Sequence, residues 1–208
     1  MNKISEKQLE RYPIYLKYLL DERDSGSINI SSPKIAKDLS LSEEQVRKDL
    51  QAVTKNSGKP KSGRDINELI HDIQVFLNYD KLTKACVVGV GHLGQALLNY
   101  SGFNNFGLDI VVGFDVDSEL IGKKINGVEV CSIYQIASKI EEKQIEVAIL
   151  STPSEVAQEV ANRLVNAGIK GIWNFVPVHI KVNNNVAIEN INMASSFAIL
   201  KHKLQNGD

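Results

Sequence analysis

Apolar positions recur along this chain at two different spacings, and the change from one to the other divides it. Over the first 80 or so residues the spacing is helical. Leu9, Tyr12, Leu16, Leu19 and Leu20 form a stripe behind a Ser5/Gln8 capping box, and Pro13 inside that run is expected to kink the helix. Ser32 is placed to N-cap a second helix, with Pro33 at its first position and Ile35, Ala36 and Leu39 facing inward. Ser42 and Gln45 form another capping box. The helix they open carries Val46, Leu50 and Val53 on one stripe, with Gln45, Arg47, Lys48 and Gln51 off it. Asp65 and Glu68 cap a fourth helix, apolar along Ile66, Leu69, Ile70, Ile73, Phe76 and Leu77, which is expected to link the first part rigidly to the rest.

From residue 85 onward, short β-branched runs alternate with helical ones. Strands are predicted over 85–90, 110–114, 128–130, 146–150, 171–175 and 186–189, and helices from 91, over 134–143 and over 151–168. Leu93, Ala96, Leu97 and Tyr100 are predicted to share the buried face of the first of these helices. A parallel, doubly wound sheet is the economical fold for such alternation, so the class is α/β. A last helix carries Met193, Phe197, Leu200 and Leu204 in a stripe behind Asn192 as N-cap. With its sheet already complete, that helix has little of its own domain to cover; it packs on a second subunit or docks on the N-terminal domain of the same chain. The expected domains are 1–80, 81–190 and 191–208.

The densest chemical signal runs from 84 to 115, KACVVGVGHLGQALLNYSGFNNFGLDIVVGFD. Gly89, Gly91 and Gly94 follow the first strand at GxGxxG spacing. The first glycine makes the tight turn, the second lets backbone approach a pyrophosphate, and the third packs helix on strand, while the helix start offers free N–H groups to the anion. Gly89, Gly91, His92, Leu93 and Gly94 are therefore candidate cofactor contacts. Asp115 ends the next strand, where a carboxylate would accept both ribose hydroxyls and would repel a 2′-phosphate, favouring NAD over NADP. A structural glycine turn and a coenzyme A-binding relative of the fold are the alternatives. Ser151, Thr152, Pro153 and Asn174 fall at carboxyl ends of strands, on the ligand side of such a sheet, although a proline there also starts helices.

Composition narrows the class. With 208 residues, 43% hydrophobic content and a net charge of −1, the chain suits a soluble globular protein of one large or two small domains. No apolar run approaches the roughly 20 residues of a membrane span, and the N-terminus lacks a signal-peptide core, so a cytoplasmic protein is expected. Cys86 and Cys131 have no metal-ligand spacing and read as buried free thiols rather than a disulfide or zinc site. No metal is expected. His92 lies in the glycine turn, and His71, His179 and His202 have no acidic or nucleophilic companion, so no proton-transfer group stands out.

Charge, by contrast, is uneven. Residues 46–64 carry six basic side chains (Arg47, Lys48, Lys55, Lys59, Lys61, Arg64) against Asp49 alone, a local net charge of +5. Two short helices joined by a tight turn and followed by a basic Gly/Pro/Ser loop read as a winged helix-turn-helix, with Gln45, Arg47 and Lys48 on the recognition helix and Lys59, Lys61 and Arg64 on the wing. A solvated charged loop beside a structural helical hairpin is the plain alternative.

Winged helix, linker, Rossmann-like unit and terminal amphipathic helix in this order resemble the Rex family of redox-sensing transcriptional repressors. The resemblance rests on ERYPIYLKYL, SEEQVRKDL, VGVGHLGQALLNYSGF, FDVD, GIKGIWNFVPV and ENINM and covers nearly the whole chain. It implies a DNA-binding sensor, not an enzyme: a homodimer with a swapped C-terminal helix carrying Phe197, an NAD(H) pocket, and operator DNA released when NADH binds. Two departures stand out. The stretch 51–64, QAVTKNSGKPKSGR, is one residue longer than the family's wing and lacks its aromatics. The family's switch is a polar link that falls here on Arg11, Arg64 and Asn192; only Arg11 matches, which implies a weakened or altered NADH response. A small NAD-dependent oxidoreductase and a coenzyme A-binding domain remain the other function classes.

Overall fold

The computed structural model describes residues 4–54 and 63–207, and the chain divides into two compact units, Met1–Lys81 and Leu82–Asp208. In the first, α1 (Glu6–Leu9) is followed by α2 (Arg11–Asp24), β1 (Asn29–Ile30), α3 (Ser32–Asp38), α4 (Glu43–Val53), β2 (Arg64–Asp65) and α5 (Ile66–Phe76). The expected kink at Pro13 is instead a break at Glu10. Pro13 becomes the third residue of α2, in the first turn, where its missing N–H leaves no helix bond unmade. Ser5 caps α1, but the Gln8 side chain donates to the Tyr12 hydroxyl at 3.0 Å rather than closing the box. Ser31, one residue earlier than expected, is the N-cap of α3, with Pro33 at its second position.

The core of this unit joins Tyr12, Tyr15, Leu16 and Leu19 of α2 to Ile35 of α3, Leu50 of α4 and Ile66, Leu69 and Ile73 of α5. Leu9 is exposed, and Tyr15 lies where the predicted stripe had no member. Because its apolar face is buried with α2, α5 is a core helix of this unit; a bridging function is not what buries it. β1 and β2 pair antiparallel, Asn29 opposite Asp65.

The second unit runs β3 (Thr83–Val88), α6 (His92–Asn99), β4 (Leu108–Asp115), β5 (Lys124–Ile125), β6 (Val128–Ser132), α7 (Ile136–Lys143), β7 (Val147–Leu150), α8 (Ser154–Asn166), β8 (Gly171–Asn174), β9 (Ala187–Asn190) and α9 (Met193–Asn206). The sheet order is β5-β6-β4-β3-β7-β8-β9. Every neighbouring pair is parallel except β5–β6. The sheet is thus the expected parallel, doubly wound one with a short antiparallel strand added at one edge. That edge turns through Asn126 (φ 49°) and Gly127 (φ 82°), the Asn-Gly signal of a two-residue hairpin, which was present in the sequence.

One face of the sheet buries Phe114, Leu150, Ala161, Leu164 and Ile172 beneath α7 and α8; the other buries Val87, Val90, Leu98, Val130 and Ile149 near α6. The buried side of α6 is not the predicted one. Gly94 and Leu98 face the sheet, while Leu93, Ala96 and Tyr100 are exposed. The glycine sets the phase: a Cβ at Gly94 would lie 2.0 Å from the Gly89 carbonyl oxygen, so only this side of α6 fits against the turn. A 3₁₀ turn at Ile133–Gln135 precedes α7, and α8 begins at Ser154 with Pro153 as its N-cap, so residues 151–153 are an extended approach.

Candidate functional site

The carboxyl ends of β3, β4 and β7 surround a cleft of about 340 Å³ lined by Gly89, Asp115, Thr152, Pro153, Tyr134 and Arg163, among others. Its floor is the glycine turn. Gly89 has φ +90°, and a Cβ there would meet the Ser151 carbonyl oxygen at 2.6 Å, so the turn admits no side chain. At Gly91 a Cβ would meet nothing within 4 Å. The space beside it is open, at the N-terminus of α6, where no side chain caps the helix. His92 and Leu93 open α6 and are exposed.

Asp115 sits across from this turn. Its Oδ2 accepts from Val90 N at 2.6 Å, and its Oδ1 accepts from Val116 N at 2.7 Å and Asp117 N at 2.9 Å. A carboxylate has about four acceptor positions, so with three backbone donors in place roughly one is open for a hydroxyl, and a second hydroxyl would share or displace a backbone partner. The Ser151 hydroxyl donates to the Gly89 carbonyl at 2.8 Å and thereby braces the turn. Thr152 Oγ1 is buried beside the cleft and has no hydrogen-bond partner among the described residues. Asn174 is fully buried; its amide donates to Val178 O at 3.1 Å and Asn190 Oδ1 at 2.9 Å and accepts from Val176 N at 2.9 Å. The expected ligand contact at Asn174 is thus a loop-holding residue, with both its N–H donors engaged by protein. Arg163 lies over the Tyr134 ring, 5.7 Å from its centroid, and pairs with Glu159 at 2.8 Å.

The first unit contains a second constellation, at α4. Arg47 and Lys48 are exposed, and Lys48 pairs with Glu44 one turn back at 2.7 Å. Arg11 grips Asp49, Nε to Oδ2 at 2.6 Å and Nη2 to Oδ1 at 2.8 Å. The Tyr15 hydroxyl also donates to Asp49 Oδ2 at 2.7 Å, and Tyr12 donates to the Asp49 carbonyl at 2.9 Å. Burial first, then the Asp49 carboxylate, push the Tyr15 phenol well above its ordinary range, while the bond to Asp49 raises Arg11. Asp49, which the sequence offered only as one acid in a basic stretch, is therefore the centre of this network. Its register was the available signal, since it falls three residues after Val46 on the buried stripe.

Arg64 donates to Thr54 Oγ1 at 2.9 Å and is partly buried, which lowers its pKa from the usual arginine value. Its guanidinium is held against Thr54, at the start of β2. Arg11 and Arg64 each have an acceptor of their own. Lys59 and Lys61 lie outside the described residues. Asn192 caps α9, its Oδ1 accepting from Ser195 N at 3.0 Å, and Phe197 is exposed on that helix. Cys86 and Cys131 are both buried and unpaired, and burial pushes the Cys86 thiol up to about 12. Among the described residues, no group of three or more His, Cys, Asp or Glu is placed to hold a metal, and no helix is long and apolar enough to cross a membrane.

Two family models match: "CoA binding domain" over residues 80–178 and "Putative DNA-binding protein N-terminus" over residues 3–51. The chain is 42% identical over 193 residues to the redox-sensing transcriptional repressor Rex of Treponema denticola, covering 92% of this chain and 91% of that protein. It is 35% identical over 202 residues to the Rex repressor of Bacteroides thetaiotaomicron, covering 97% and 91%. Among solved structures, RSP in complex with β-NAD⁺ and operator DNA superposes with a TM-score of 0.91 at 32% identity, covering 100% of this chain and 95% of that one. RSP in complex with β-NADH gives 0.89 at 31% identity, covering 100% and 97%. With identity of this order running through both units, the chain belongs to the Rex family of redox-sensing transcriptional repressors.

Proposed function

We propose that this protein is a transcriptional repressor that binds operator DNA as a homodimer, senses the NADH/NAD⁺ ratio and leaves DNA when NADH binds. It works in the cytoplasm and is not an enzyme. The observation that carries the reading is the pairing, in one chain, of a glycine turn built for a dinucleotide with a helix-turn-helix unit. The turn leaves space at Gly91 and faces a carboxylate at Asp115, while α4 presents Arg47 and Lys48 outward.

In this reading Gly89, Gly91, His92, Leu93 and Gly94 form the pyrophosphate end of the pocket, Asp115 takes the adenosine ribose, and the orphaned Thr152 hydroxyl bonds the cofactor. Gln45, Arg47 and Lys48 enter the major groove, with Lys59 and Lys61 following the backbone. α9 supplies the subunit contact: it is exposed along its whole length, and a helix of this size is marginal alone in water. Relatives bear on the reading through what they hold, since RSP has been crystallised both with NAD⁺ and operator DNA and with NADH.

The test is a titration of a palindromic, AT-rich duplex at fixed salt without cofactor, with NAD⁺ and with NADH. Affinity should fall by about 5- to 150-fold with NADH alone, the scale of allosteric couplings of about 1–3 kcal/mol. Equal affinity in all three conditions would overturn NADH release and leave a DNA-binding protein whose switch is lost, beyond the weakened response that the replacements at Arg64 and Asn192 imply. A second reading, coenzyme A binding, is favoured by the family match over 80–178. It gives Asp115 no task, and displacement of NADH by coenzyme A would support it.

A further inference from the structure

Gln45 is the third residue of α4, with its backbone N–H fixed by the Ser42 hydroxyl at 3.2 Å. Its side chain lines an open groove of about 380 Å³ together with Glu44 and Lys48, and Arg11 forms the inner wall. With its amide oxygen turned toward the guanidinium, Gln45 can accept from Arg11 Nη1 at 3.0 Å; that oxygen then lies 3.1 Å from Nε, whose single hydrogen goes to Asp49. The reverse orientation would set the amide NH₂ against guanidinium N–H groups. Arg11 cannot swing to suit Gln45, because its rigid fork is held by Asp49 at 2.6 and 2.8 Å and by the Lys7 carbonyl at 2.8 Å. The amide oxygen is therefore occupied, and what the side chain presents on its other side is the NH₂ group with its two hydrogens.

A glutamine free to rotate recognises adenine by accepting from N6 and donating to N7. One whose oxygen is engaged offers two hydrogens and nothing else. From this polarity we infer that Arg11 makes Gln45 a donor-only reader of the major groove, which selects guanine, with acceptors at O6 and N7, and rejects adenine, whose N6 would meet an N–H. Arg11 is thus a positioning residue for operator choice within its own subunit. The inference rests on the proposed entry of α4 into the major groove, where the first turns of a recognition helix meet base edges.

The experiment is selection from a pool of randomised palindromic duplexes at fixed salt, without cofactor, using the full-length wild type and Gln45→Ala, Gln45→Glu and Arg11→Met. The position read by Gln45 is the one at which Gln45→Ala loses preference. There the wild type should favour guanine over adenine about tenfold, the size of one good base contact. 7-Deazaguanine at that position should weaken binding. Gln45→Glu, which presents an acceptor instead, should turn the preference to cytosine through its N4 donor. Arg11→Met should accept adenine and guanine alike at that position and keep its preferences elsewhere. Should Arg11→Met fail to fold because Asp49 is stranded, Arg11→Met/Asp49→Asn carries the same expectation.

The inference is overturned if the wild type prefers adenine there, if Gln45→Ala changes no position, or if the Arg11 variants weaken every position equally, as a merely structural residue would. Selection of no sequence at all by the wild type would bring down the DNA-reading assignment of α4 as well, which separates the two failures.

Discussion

The Asp115 carboxylate holds the glycine turn from the neighbouring strand, its Oδ2 accepting from Val90 N at 2.6 Å. The end of β4 and the floor of the cleft are therefore one rigid unit before any cofactor arrives. A ribose hydroxyl reaching Asp115 competes with Val90 N for this oxygen, and a displaced N–H would be available to the cofactor's phosphates. In the proposed pocket, Asp115→Ala removes the acceptor assigned to the ribose and the charge expected to exclude a 2′-phosphate. The expected outcome is a loss of at least about tenfold in NADH affinity, as for a charge-assisted hydrogen bond, and a reduced preference over NADPH. Fluorescence titration with both cofactors measures it, and unchanged discrimination would remove Asp115 from the site.

Glycines in the turn separate folding from binding. Gly94→Ala places a Cβ 2.0 Å from the Gly89 carbonyl and should destabilise the second unit by several kcal/mol, about the scale of severe core overpacking. Gly91→Ala meets nothing within 4 Å and should leave stability within about 0.5 kcal/mol, the range of a neutral surface change. Its methyl group would nevertheless occupy the space in which a pyrophosphate approaches backbone. Thermal melts together with NADH titrations of the two variants check this. A Gly91→Ala protein that binds NADH as the wild type does would place the phosphates elsewhere.

Removal of Asp49 should damage the first unit more than any surface acid. Its carboxylate holds Arg11 and Tyr15, and its side chain is only 4% exposed. Asp49→Ala leaves a partly buried guanidinium and a buried phenol without their acceptor, a loss of about 3 kcal/mol by the measure of broken buried pairs. Asp49→Asn, which keeps an acceptor, should lose less. Urea unfolding followed by far-ultraviolet circular dichroism reports both, and a loss under about 1 kcal/mol for Asp49→Ala would mean the pair adds little.

Much of this architecture was legible because the second unit's strands are β-branched runs closed by Gly, Asp or Asn, and the three glycines fall where their roles require. What was not legible was decided over distance. Arg11 finds Asp49 38 residues away. The helix phase at α6 was open, since Leu93, Leu97 and Leu98 populate both sides, until Gly94 met the Gly89 carbonyl. Asn174 stood at a strand end on the ligand side, and only the fold shows that Val176, Val178 and Asn190 engage its amide.

Acid should loosen the junction of α2 with α3. Lys34 Nζ bridges Glu22 Oε1 at 2.7 Å and Asp38 Oδ2 at 3.1 Å, and the Tyr18 hydroxyl donates to Asp38 at 2.6 Å. Glu22 is held below its usual pKa chiefly by Lys34, and Asp38 chiefly by the Tyr18 bond and then by Lys34. Carboxylates lowered in the folded state stabilise it above their unfolded pKa and lose that contribution as pH falls through the depressed values. Lys34→Met should therefore melt below the wild type at pH 7, and the gap should close as pH drops under roughly 4. A gap constant to pH 2 would show that these carboxylates are not what Lys34 stabilises. All three groups keep contact with solvent, with Glu22 the most covered at 21% exposed, so the effect is modest.

The outcome for α9 decides between its two sequence readings. Phe197 is 64% exposed and Leu204 77% exposed, in a helix none of whose residues is buried. Such a face is stable when another surface covers it. If that surface belongs to a second subunit, Phe197→Asp/Leu200→Asp places two charges in the interface and yields monomers by analytical ultracentrifugation. Operator affinity should then fall by about a hundredfold or more, because each half-site is bound without the effective concentration its partner supplies. If the face instead docks on the N-terminal unit of its own chain, the same variant keeps the wild-type mass and only melts earlier. A dimeric variant with wild-type operator affinity would exclude α9 from subunit pairing, and the contact would have to be sought on the exposed side of α6, where Leu93, Ala96 and Tyr100 lie.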